Sequence, residues 1–72
     1  MTTWNYRIVR SIHKGEESFG IHEVYYENEN PIMVTEEAVG AVGHTIEELA
    51  DELGHMVMAF GKPILEYSEI GK

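Results

Sequence analysis

The chain contains no cysteine. That absence excludes a disulfide framework and any thiolate metal site, and it suits a reducing compartment. Bases are scarce too: five stand against thirteen acids, for a net charge of -8. A surface of that sign repels phosphate backbones, so direct nucleic-acid binding is not expected. Long apolar runs are missing. The longest, Met56 to Phe60, falls far short of the roughly 20 residues that span a bilayer, and the N-terminus lacks a signal-peptide pattern. The expectation is a cytoplasmic protein with no membrane partner.

Catalytic signatures are equally sparse. There is no nucleophile elbow, no zinc-protease helix motif, and Gly40 and Gly43 belong to no phosphate-cradling loop. No catalytic residue, metal site or cofactor is expected, and the chain does not read as an enzyme. With 72 residues it makes one domain. A chain of that size buries only about 60% of the surface it exposes when unfolded, so its core is marginal.

What is present begins with one helix. Ile46, Leu49, Ala50, Leu53, Met56, Val57 and Phe60 recur at helical spacing and form a stripe roughly 120° wide, predicting a helix over about 46–60. Thr45 with Glu48 three residues on reads as a capping box, and Gly61 with Pro63 as the stop. Glu47, Glu48, Asp51 and Glu52 form the solvated face. Gly54 interrupts the helix at a cost of about 1 kcal/mol relative to alanine, which marks a close approach by a strand or a second chain.

Upstream, the period changes to two. Residues 4–13 and 18–27 read as strands joined at Lys14-Gly15-Glu16, and Asn28-Glu29-Asn30-Pro31 turns the chain into a short third strand over 31–35. A three-residue first loop sets Trp4 opposite Tyr26, Tyr6 opposite Val24 and Ile8 opposite His22, with Arg7 opposite Glu23 and Val9 opposite Ile21 on the other face. The fold class expected is α+β: a three-stranded antiparallel meander followed by one amphipathic helix packed on one face. A short C-terminal strand over 64–67 can pair within the chain or across a dimer, and 68–72 reads as a frayed tail.

These residues resemble a set of small bacterial proteins of no established activity that share Trp-x-Tyr-Arg and His-Glu-Val-Tyr-Tyr, here Trp4, Tyr6, Arg7 and His22 to Tyr26. The likeness extends through Leu49, Leu53 and Met56 to Pro63, Leu65 and Tyr67. It implies a bacterial origin and a single compact domain, and it transfers no site residue.

Function is read from apolar balance. One helix covers one face of the sheet, which leaves Val9, Phe19, Ile21 and Tyr25 as a candidate interaction surface. A homodimer or another protein partner burying it makes the chain a non-catalytic interaction or regulatory module. The bland account is that Leu65 and Tyr67 of the tail cover that face. An alternative is a small-ligand or metal site near the tyrosines and the candidate polar group His22, Glu23 and Arg7. Adjacent strand residues point to opposite faces, however, and His22 reads more simply as a hydrogen-bonded histidine beneath the helix. A second alternative is an acidic nucleic-acid mimic, set against plain solubility of the acid runs.

Overall fold

A computed structural model describes residues 2–71. The expected α+β class holds, and the sheet is mixed. Strands β1 (Thr2–His13), β2 (Glu16–Glu27) and β3 (Asn30–Val34) form the antiparallel meander, and β4 (Leu65–Glu66) then adds parallel to β1, giving the order β3-β2-β1-β4. Between β3 and β4 lies helix α1 (Ile46–Val57), which tightens into a 3-10 turn at Met58–Gly61.

The first hairpin turns on two residues, and this corrects the expected register by one. Lys14 and Gly15 both have positive φ, 53° and 81°, so His13 pairs with Glu16. A turn with two left-handed residues matches the right-handed twist of its strands, and Gly15 enters that region without a Cβ clash. Tyr6 consequently faces Glu23, Arg7 faces His22 and Ile8 faces Ile21. The second hairpin repeats the device at Asn28 and Glu29, with φ of 52° and 68°. Past it, the pairing with β2 shifts between Tyr25 and Tyr26, a bulge that leaves Ile32 without an opposed residue.

The new register redistributes the faces. Trp4, Tyr6 and Ile8 share theirs with Phe19, Ile21, Glu23 and Tyr25, and α1 packs there. Arg7 and Val9 share the other with His22 and Val24. The C-terminal tail crosses this second face: Tyr67–Glu69 form a 3-10 turn after β4, the Tyr67 ring lies 6.2 Å from that of His22, and the Gly71 amide donates to the Pro31 carbonyl of β3 at 3.2 Å. The tail is therefore a cover over the sheet, which corrects the frayed reading. Val9 and Val24 beneath it are fully buried.

On the helix side, the Thr45 half of the expected capping box forms, with the Glu48 amide donating to Thr45 Oγ1 at 3.1 Å. The stop has a different cause from a glycine cap. Lys62 is extended, at φ -120° and ψ 157°, because the following Pro63 crowds helical backbone at the residue before it. The side chains turned inward are Leu49, Glu52, Met56 and Ala59. Only one edge of the predicted stripe therefore meets the sheet.

Candidate interaction surface

The expected polar group is divided by the sheet. Arg7 and His22 stand opposite each other beside the tail, whereas Glu23 points to the helix side and accepts from the Tyr25 hydroxyl at 2.6 Å. His22 is buried beneath the C-terminal tail and not beneath the helix. Its Nδ1 lies 2.9 Å from the Thr35 carbonyl, which can only accept, so Nδ1 carries the hydrogen. Arg7 donates to the Tyr26 hydroxyl at 2.8 Å and to the Pro63 carbonyl at 2.6 Å, and Tyr26 in turn donates to Asn5 Oδ1 at 2.8 Å. These bonds pin the loop after β3 and the segment before β4 onto the sheet. Gly20 completes the arrangement, since a Cβ there would meet that of Ala38 at 2.7 Å and hold off the loop that His22 fastens.

The ion pairs of the first strand are made by Arg10. Its guanidinium contacts Glu17 at 2.5 Å and Glu66 at 2.8 Å, bridging β2 and β4 across β1. Arg7, expected opposite Glu23, meets neutral groups instead because of the one-residue register change.

The four residues of the candidate interaction surface do not share a face. Val9 is sealed under the tail, while Phe19, Ile21 and Tyr25 lie on the helix side. There the helix leaves much of the sheet open. An apolar groove of about 370 Å³ runs between Phe19 and Ile21 of β2 and Phe60 and Ile64 past the helix. Beside it, Trp4 packs edge-on against Tyr6 with ring centroids 5.2 Å apart, its own ring half-exposed.

One polar clamp ties α1 to this face. The Tyr6 hydroxyl donates to the Glu52 carboxylate, and that bond, with partial burial and the negative charge nearby, pushes the phenol up to about 12. Hydrogen bonding to Glu23 likewise holds the Tyr25 hydroxyl above its ordinary value. Below pH 10 Tyr6 is protonated in both folded and unfolded chains, so the clamp contributes fully. Between pH 10 and about 12 the unfolded chain ionises first, and stability falls as pH rises through that window. Tyr6→Phe is expected to cost about 1 kcal/mol below pH 10, allowing for solvent screening, and to flatten this alkaline loss. Urea unfolding at pH 7, 9 and 11 checks it; equal alkaline slopes in parent and variant would remove the clamp from the account.

A hollow of about 450 Å³ beside the helix is lined by His44, Glu48, Asp51, Glu52 and His55, yet no three histidine or acid side chains among the described residues come together as a metal site. No helix of the described residues is long and apolar enough to cross a membrane.

The residues missed in sequence are those of the outward helix stripe. Ile46, Leu53, Val57 and Phe60 are 78, 49, 60 and 70% exposed, and Ala50 lies exposed among them. The signal available was quantitative: the apolar stripe is wider than a short sheet can cover. The chain has no significant match among protein-family models, curated proteins or solved structures.

Proposed function

We propose that the chain is a small non-catalytic interaction module that works as a homodimer. The observation that carries this reading is the surface left over. The accessible area is 5514 Å², against about 4,500 Å² expected of a compact monomer of this mass. The excess, roughly 1,000 Å², is comparable to the roughly 800 Å² that each partner contributes to a standard interface. The shape agrees: the radius of gyration is 12.9 Å, where about 11 Å is expected for this length.

Large apolar side chains contribute to that surface. Ile8, Val9, Val24, Met56 and Ala59 are the buried hydrophobic residues, while Trp4, Phe19, Leu53, Val57, Phe60 and Ile64 remain half-exposed or more. Such a core is thin for a domain whose total stability is on the order of 5 kcal/mol, and a second copy adds the missing burial. The polar clusters that invited a catalytic or ligand reading are occupied in holding loops and tail to the sheet.

Light scattering on the untagged protein tests the proposal. The expected mass is twice 8.2 kDa, retained as salt is raised because the attraction is apolar. A mass of 8.2 kDa persisting at about 100 µM, far above the dissociation constant of a weak micromolar pair, would overturn it.

A further inference from the structure

We infer that the second copy docks through the outward stripe of α1, as an antiparallel helix pair with its two-fold axis near Leu53. This rests on the homodimer reading and names the surface and partner that the reading leaves open.

The first ground is the phase of the helix. At about 100° per residue, the inward set Leu49, Glu52, Met56 and Ala59 is centred roughly 100° around the helix from Ile46, Ala50, Leu53, Val57 and Phe60. The outward set is spaced 4, 3, 4, 3, the repeat that presents a continuous seam to another helix. Its own sheet cannot reach that seam. Phe60, at the end of the stripe, also walls the apolar groove against Phe19 and Ile21, so the uncovered surface continues from helix to sheet.

The second ground is Gly54, which borders the seam. A Cβ added there meets nothing within 4 Å, so the glycine is not required by any neighbour in its own chain. Its cost of about 1 kcal/mol to the helix is offset if the backbone of another chain comes close at that point.

The third ground is charge, and it fixes the direction. Glu47, Glu48, Asp51 and Glu52 occupy the first two turns, whereas residues 53–65 hold no acid and include His55 and Lys62. A parallel pair sets the two acidic ends side by side. An antiparallel pair places each acidic end near the partner's Lys62 and opposes the helix dipoles. Leu53 is the midpoint of the stripe from Ile46 to Phe60. A two-fold axis there brings Leu53 near its own counterpart and turns Ile46 toward the partner's Phe60, the isologous arrangement of a closed dimer.

The absence of native cysteine makes the test clean. Single cysteines are placed at Leu53, Ile46 or Phe60 of the full chain and treated with a short bis-maleimide that spans the interaxial distance of about 8–10 Å. Leu53→Cys is expected to cross-link to itself. Ile46→Cys alone is not, but an equal mixture of Ile46→Cys and Phe60→Cys is expected to give the mixed dimer. In parallel, Leu53→Asp is expected to raise the dissociation constant by about 100-fold or more, because it sets a carboxylate in each copy's apolar seam. Ile12→Asp, exposed at the far end of β1, should leave association unchanged.

A dimer in which Leu53→Cys fails to cross-link, or in which Ile46→Cys links to itself, overturns the antiparallel pair while leaving the homodimer standing. A monomeric parent overturns both. If Leu53→Asp loses its helical circular dichroism, the cross-linking pattern still decides.

Discussion

A chain stopped after Glu66 is expected to lose about 3–5 kcal/mol of stability, enough to unfold a large fraction of the protein at 25 °C. Three residues of the removed segment account for this. Tyr67 lies against His22, Ile70 is half-buried, and Gly71 donates its amide to Pro31 across the sheet. Below them Val9 and Val24 have no exposed surface, and His22 has little. Uncovering a valine forfeits part of the roughly 1.5–3 kcal/mol its burial supplies, and the deletion opens two. Tyr67→Ala alone is expected to cost about 1–2 kcal/mol, since the backbone strap remains. Urea unfolding followed by circular dichroism measures both. A truncated chain within about 0.5 kcal/mol of the parent would show that the valines are protected without the tail.

The tail also marks where the sequence stops being legible. Strands and helix are local patterns: alternation in Trp4 to His13 and the 3.6-residue recurrence from Ile46 onward announce themselves within a few turns of chain. The contact from Gly71 to Pro31 joins positions 40 residues apart, and nothing near either residue encodes it. Likewise β4 is only Leu65–Glu66, too short for periodicity to define, and it is held by Arg10 bridging Glu17 and Glu66 and by Arg7 on the Pro63 carbonyl.

The register error has a different origin. Lys14-Gly15 carries the two-residue turn in its glycine, but lysine is an unfavourable occupant of positive φ, and the sequence reads instead as a three-residue loop. One residue of slip then misassigned every cross-strand pair. The three-residue loop sets Val9 with Phe19, Ile21 and Tyr25, and Arg7 with Glu23, whereas Val9 and Arg7 share the opposite face, the one the tail crosses. Three of the four residues, Phe19, Ile21 and Tyr25, still share one face, on the helix side.

The helix shows the sharpest limit of pattern reading, and it gives the second large effect. Periodicity ranks Met56 and Val57 alike, since both fall within the stripe, but Met56 is buried against the sheet and Val57 stands out from it. Met56→Ala is expected to cost about 2–4 kcal/mol, the loss of a buried side chain plus the cavity it leaves. That cost belongs to the monomer, so it should be the same at every protein concentration. Val57→Ala removes no contact with the sheet, and at high dilution its cost should lie within about 0.5 kcal/mol. On the proposed association, folding is linked to dimerisation as concentration rises, and the Val57 deficit should grow while that of Met56 stays level. Urea midpoints over a hundredfold range of concentration separate the two. Equal, concentration-independent losses would place both side chains in one core and return the outward stripe to solvent; divergence would identify the edge of the helix that the fold uses for itself and the edge it leaves for another copy.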